Sequence, residues 1–325
     1  MKLMQSPSNH QQWITIKGTD GPGVGRHIVL ISGDEEYRSE QALPMLAEVL
    51  AKHHGFTCTV LFAIDPETGL VDPNVQNNIP GMHLLAAADM VVLFVRFREL
   101  PDTDMKHFVD YVFGGKPLLG IRTSTHAFHY KRDPASPYAK YSCGNKSDEY
   151  FGGFGRQVLG EKWAGHYGHH RFEATLAEPN PDAIGHPILR GVGSAWGPSD
   201  VYVANPPADV KVIMDGHVLV GMNPTDPKKP DTPTMPLAWI REPNPQTGTG
   251  RVMCSTMGAA TDLSDASLRR LLINGVYWCM GMESDISADR SVDPVGPYEP
   301  SDFGLVKDSI GKLPRAFFNL AEKPE

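Results

Sequence analysis

The run Asp89-Met-Val-Val-Leu-Phe-Val95 is apolar at every position after the first, which suits a strand covered on both faces and not one with a solvated side. Three further runs, Arg26-His-Ile-Val-Leu-Ile-Ser32, Phe56-Thr-Cys-Thr-Val-Leu-Phe62 and Pro117-Leu-Leu-Gly-Ile121, are rich in β-branched, aromatic or aliphatic residues. Between them the period changes. Leu43, Leu46, Ala47, Val49 and Leu50 share a helical face that closes at Gly55, and Met105, Phe108, Val109, Val112 and Phe113 share another that ends at Gly114-Gly115. Strands that alternate with helices predict a doubly wound α/β fold with a mainly parallel sheet and helices on both faces.

The 325 residues, 41% of them hydrophobic, suffice for a packed core. A net charge of −8 with no run of lysines or arginines excludes the electrostatic footprint of a nucleic-acid binder. No apolar stretch approaches the roughly 20 residues that cross a bilayer, so no membrane partner is expected. The amino terminus lacks the apolar core of a signal peptide, which predicts a soluble chain, either cytoplasmic or a mature exported form. Cys58, Cys143, Cys254 and Cys279 lie far apart without metal-binding spacing and read as free thiols.

Residues 1–25 form a polar, glycine-rich amino-terminal extension ending in Gly21-Pro-Gly-Val-Gly25. Those glycines precede a strand instead of following one, so they are no dinucleotide fingerprint. The main domain is predicted over 26–283, with an irregular insertion at about 130–200 of the kind that forms lids, and a tail over 284–325 that wraps the domain. Later strands are expected at Val210–Met214, His217–Met222, Pro236–Arg241 and Arg251–Thr256, the first two joined by an Asp215-Gly216 hairpin. A last helix, capped by Ser264, runs to Gly281.

Open parallel sheets bind ligands beyond the carboxyl ends of their strands. Three loops qualify. Gly33-Asp-Glu-Glu-Tyr-Arg38 gathers Asp34, Glu35, Glu36, Tyr37 and Arg38; each acid alone suits a helix cap, whereas the group together suits polyol binding. Arg96 leaves an apolar strand toward a site or an ion pair, while Arg98 reads as a surface residue. Gly120-Ile-Arg-Thr-Ser-Thr-His-Ala-Phe128 stands where a nucleophile elbow would, but it carries neither cysteine nor a GxSxG frame. Arg122 there offers a fixed cation and His126 a proton carrier near neutral pH; the plainer alternative is a buried ion pair and a helix cap. In the insertion, Trp163-Ala-Gly-His-Tyr-Gly-His-His-Arg171 brings His166, His169 and His170 beside aromatic surfaces that suit a sugar ring. The histidine spacing assigns no metal, and a divalent ion there stays an alternative.

Several ordered motifs resemble the ThuA-like (trehalose-utilisation) family of the class I glutamine amidotransferase-like superfamily. They are His186-Pro-Ile-Leu-Arg-Gly191, Trp196, Asp200-Val-Tyr202, Pro236-Leu-Ala-Trp-Ile-Arg241, Gly250-Arg-Val252, and Leu268-Arg-Arg-Leu-Leu-Ile-Asn-Gly275 with Trp278. Gly33-Asp-Glu-Glu-Tyr-Arg38 resembles the opening motif of a bacterial subgroup, and the likeness spans about 26–283. The resemblance implies a flavodoxin-like, amidotransferase-type sheet whose cysteine-histidine-glutamate triad has been lost, and a role in catabolism of trehalose and related disaccharides through keto-sugar intermediates.

The combined expectation is acid-base chemistry on a keto-sugar or disaccharide derivative, as a hydrolase, lyase or isomerase, without a cysteine nucleophile or resident cofactor. Glu36 or His166 is the base, Arg122 or Arg96 the partner of the enolate oxygen, and His126 a further catalytic candidate. Asp34, Glu35, Tyr37, Arg38, Arg96, His169 and Asp200 are the substrate-binding candidates. The alternatives are a non-catalytic carbohydrate-binding protein and a metal-assisted hydrolase. The partner is a small carbohydrate, and homo-oligomerisation stays open.

Overall fold

A computed structural model describes residues 11–305, apart from 243, 245 and 249, and residues 311–319. The apolar runs become neighbouring strands. Among the described residues one ten-stranded sheet contains β1 (Trp13–Ile16), β2 (His27–Gly33), β3 (Thr57–Phe62), β4 (Met90–Val95), β5 (Leu118–Ile121), β6 (Thr175–Pro179), β7 (Ala195–Gly197), β8 (Lys211–Val218), β9 (Met235–Arg241) and β10 (Val252–Ser255). Its order is β1-β3-β2-β4-β5-β10-β9-β8-β6-β7.

The five strands β3-β2-β4-β5-β10 are parallel, and numbered along the chain they follow the 2-1-3-4-5 order of flavodoxin-like sheets. β1 pairs antiparallel with β3 at one edge, and β9, β8, β6 and β7 continue the other side as an antiparallel wing. The sheet is therefore mixed around a parallel core. β1 lies within the amino-terminal extension, where no strand was expected.

All six residues of β4 are buried, as its composition requires, and burying each large side chain contributes about 1.5–3 kcal/mol. α1 (Ser39–His54) and α3 (Ala266–Cys279) pack on one face and α2 (Asp102–Phe113) on the other. α1 stops where the glycine predicts. Gly55, at φ 82°, donates to Ala51 O, and Phe56 N donates to Leu50 O, which closes a Schellman turn. The four cysteines are free thiols, three of them buried.

Two local expectations are corrected. Asp215-Gly216 makes no hairpin: β8 runs straight through it, with register shifts between Val212 and Asp215. Pairing with β6 on one side and β9 on the other outweighs the local turn preference. α3 is capped by Asp265, whose carboxylate accepts from Ser267 N and Leu268 N, and not by Ser264. The described part of the tail contributes Ile286, Val292 and Phe303 to the core that α1 and α3 also line, and Ser291 O accepts from the His54 ring.

Candidate functional site

The strand order reverses between β2 and β4, and the loops that follow these strands hold Asp34–Arg38 and Arg96–Glu99. The turn after β5 adds Arg122–His126, and the insertion adds His166 through a bridge to Tyr202. The three predicted segments thus meet over one edge of the sheet.

Several candidates in the acidic loop shape the scaffold. Asp34 is fully buried; its Oδ1 accepts from Glu36 N and Tyr37 N at 2.6 Å each, its Oδ2 accepts from Thr123 Oγ1, and its own N–H donates to Ser39 Oγ. It knots the first loop to the third and has no oxygen facing a ligand. Glu35 accepts from Arg96 Nη1 at 2.5 Å and Arg98 Nη2 at 2.7 Å, and burial raises its carboxyl above the usual range against the pull of both arginines. Arg98 is not a surface residue: it is 0% exposed and also donates to the carbonyls of Pro73, Val75 and Arg96. A sequence reads this charge as exposed because the carbonyls that receive it come from a distant segment. Arg38 is buried too, in a left-handed conformation (φ 62°) that turns the chain into α1.

Arg122 is the corresponding centre of the third loop. It is fully buried, left-handed at φ 43°, and its guanidinium lies between the Tyr37 and Tyr202 rings at 4.0 and 4.4 Å. Its Nη1 donates to Thr256 O and its Nη2 to Asp200 Oδ1 at 3.0 Å. The buried ion pair is the role the geometry gives it. Burial pushes the Tyr37 hydroxyl up to about 12, so that ring stays neutral over the cation.

Asp200 organises the chemistry. Its Oδ2 accepts from His166 Nδ1 at 2.6 Å, and its Oδ1 accepts from His170 Nδ1 at 2.9 Å as well as from Arg122. Burial alone would raise the carboxyl, but the two imidazole bonds and the Arg122 guanidinium outweigh it and hold Asp200 well below the carboxylate range. With Nδ1 of each histidine engaged, each Nε2 is left for work.

Around this centre seven side chains close a ring, six of them partly exposed and His126 buried. Glu36 pairs with Arg96 at 3.2 Å and stands 3.9 Å from His170 Nε2; His170 and His166 have ring centroids 4.8 Å apart. His166 meets Trp163 at 5.5 Å, Trp163 meets His126 at 5.5 Å, His126 meets Phe97 at 4.9 Å, and Arg96 lies 4.6 Å over Phe97. Tyr202 underlies His126, Trp163 and His166. His126 does not fit exchange of protons near neutral pH. Burial, with Arg96, Arg122 and His166 nearby, lowers its pKa well below the usual imidazole value.

His169 stays outside the ring. It is exposed and stacks on Phe172 at 4.6 Å, while its backbone N–H donates to Glu173. His170 takes the place expected of it, and the sequence offered no signal to choose between adjacent histidines. Tyr202 had a signal: in extended chain it shares a face with Asp200. Phe303, from the tail, stacks on Tyr37 at 5.5 Å and meets His170 at 5.2 Å, a contact no local pattern announces.

His166, His170 and Asp200 also present potential metal-ligand atoms within 4.8 Å of one another. The 2.6 Å from His166 Nδ1 to Asp200 is a hydrogen-bond length, shorter than the roughly 3 Å between two ligands that each sit about 2 Å from one ion. No helix among the described residues is long and apolar enough to cross a membrane.

No family model and no curated protein matches the sequence. Among solved structures, the chain is similar to a protein described as ThuA-like from Bacteroides uniformis (TM-score 0.49, 14% identity, covering 81% of this chain and 94% of that one). It is also similar to one so described from Parabacteroides merdae (TM-score 0.47, 12% identity, 90% and 99%) and to the glutaminase domain of Trypanosoma brucei CTPS (TM-score 0.32, 10% identity, 76% and 94%).

Proposed function

We propose that this chain catalyses acid-base chemistry on a keto-sugar, with His166 as the base. The observation that carries the reading is Asp200, held ionised by buried Arg122 while it accepts Nδ1–H of His166 and so orients the outward Nε2. His166 Nε2 takes the proton from the carbon beside the sugar carbonyl; the C–H electron pair becomes a carbon–carbon double bond as the carbonyl π pair moves onto oxygen, giving an enolate. Arg96, part-exposed at the ring, faces that oxygen, since Arg122 has no exposed surface to offer. The imidazolium then returns its proton to the glycosidic oxygen as the C–O bond breaks, or to the neighbouring carbon in an isomerisation. The sugar itself is supported by the sequence motifs that resemble ThuA-like proteins and by Trp163 on the ring wall.

Incubating the protein with 3-keto-trehalose and following the products by mass spectrometry tests the reading. Turnover that disappears in His166→Ala is expected. Saturable binding without product would make the chain a carbohydrate-binding protein, and turnover unchanged in His166→Ala would remove the base assignment.

The convergence of possible ligand atoms of His166, His170 and Asp200 within 4.8 Å supports one second reading, metal-assisted hydrolysis, in which the 2.6 Å His166–Asp200 hydrogen bond would have to open to admit the ion. It requires stoichiometric metal in the purified protein and activity lost to a chelator and restored by zinc or manganese.

A further inference from the structure

Phe97 is one of the non-glycine residues with a left-handed backbone, φ 52°, and it is fixed there by its N–H to His126 O at 3.0 Å and by Arg98 N to Ala127 O at 2.6 Å. Such a conformation persists only where neighbouring bonds impose it. Its effect is to set the phenyl ring against two histidines, His126 of the candidate site at 4.9 Å and His129 at 5.7 Å. Phe97 and His129 also line a cavity of about 290 Å³ together with Gln76, Glu99, Lys131 and Arg132.

The charges of this cavity are unequal in their freedom. Glu99 is buried and spoken for: Oε1 accepts from the backbone N–H groups of Arg132 and Asp133 at 2.6 Å each, and Oε2 accepts from Arg132 Nε at 3.2 Å. Asp133 turns its carboxylate back on its own loop, where it accepts from Ala135 N. Lys131 is exposed and forms no ion pair among the described residues, and Arg132 keeps its Nη groups free of the Glu99 contact. Burial and the Lys131 cation lower the pKa of His129, which leaves that wall neutral. Two cations thus face the space against one carboxylate whose oxygens are already engaged.

We infer that Phe97 divides a single substrate cleft into two subsites, and that the outer one, at Lys131 and Arg132, takes a carboxylate or phosphate carried by the sugar or its leaving group. Phe97 is the wall common to the ring of site side chains and this cavity, so a ligand held against it can reach both. The inference rests on the proposed acid-base reading only for which end of the ligand reacts.

Calorimetric titration of the full chain with glucose, glucuronate and glucose 6-phosphate tests it without turnover. Either acidic sugar is expected to bind about tenfold more tightly than glucose, the worth of one charge-assisted contact. Lys131→Ala should abolish that preference and Lys131→Glu should invert it; both changes fall on an exposed side chain. His166→Ala should leave the preference intact, so a failed base assignment and a failed subsite give different results. Equal affinity for the three sugars, or a preference unchanged in both Lys131 variants, overturns the inference.

Discussion

His166 Nδ1 and Asp200 Oδ2 lie 2.6 Å apart, and the same carboxylate is bound to the fully buried Arg122. The two contacts separate activity from stability. Asp200→Ala leaves the Arg122 charge buried without its partner and should cost about 3–5 kcal/mol in urea unfolding, along with activity. His166→Ala takes one donor from the buried Asp200 carboxylate but leaves its Arg122 pair intact, so it should cost less, about 1–3 kcal/mol, while lowering turnover of the keto-sugar about 100-fold.

Glu35 and Arg98 form the scaffold's other buried pair. Glu35→Ala is expected to destabilise the fold by about 3–5 kcal/mol, because Arg98 keeps its charge with no exposed surface. A Glu35→Leu, Arg98→Met double variant should recover only part of that loss in the same unfolding measurement, since it removes both charges at once but leaves the carbonyls of Pro73, Val75 and Arg96 without their donor.

His54 couples the fold to pH. Its ring is buried between Tyr277 OH and Ser291 O, and burial lowers its pKa to about 4 from an ordinary 6.5. Between those values the unfolded chain carries the extra proton, so stability is complete above about pH 6.5 and falls as pH drops through 4. The full effect is ~3 kcal/mol. Thermal midpoints recorded across this range should slope downward with acid, and His54→Gln should flatten the slope.

Trp163 closes the ring beside His166 and His126 at 37% exposure. Trp163→Ala should raise KM for the keto-sugar about tenfold with a smaller change in kcat, the pattern of lost binding surface. A loss confined to kcat would place the indole in the chemistry instead.

The sequence reveals the parallel strands because each run of β2 to β5 is apolar enough to stand alone as a signal, and Gly55 marks a real helix end. It is silent where partners are remote. β1 is a four-residue segment, Trp13–Ile16, too short to stand out from its polar surroundings and held as a strand by pairing with β3, and Asp215-Gly216 looks like a turn until β6 and β9 enclose it. The site divides the same way. Loop positions place Glu36, Arg96, Arg122 and His166 near one another, whereas the roles of Asp34 and Glu35 depend on Thr123 and Arg98, which only the folded chain supplies.

The outer strands β1 and β7 are only four and three residues long. Either border of the ten-stranded sheet therefore offers a neighbouring molecule too few open backbone groups to zip onto. Among the described residues both rims thus disfavour growth by strand addition, which leaves helices and loops as the better surfaces for any meeting of two copies.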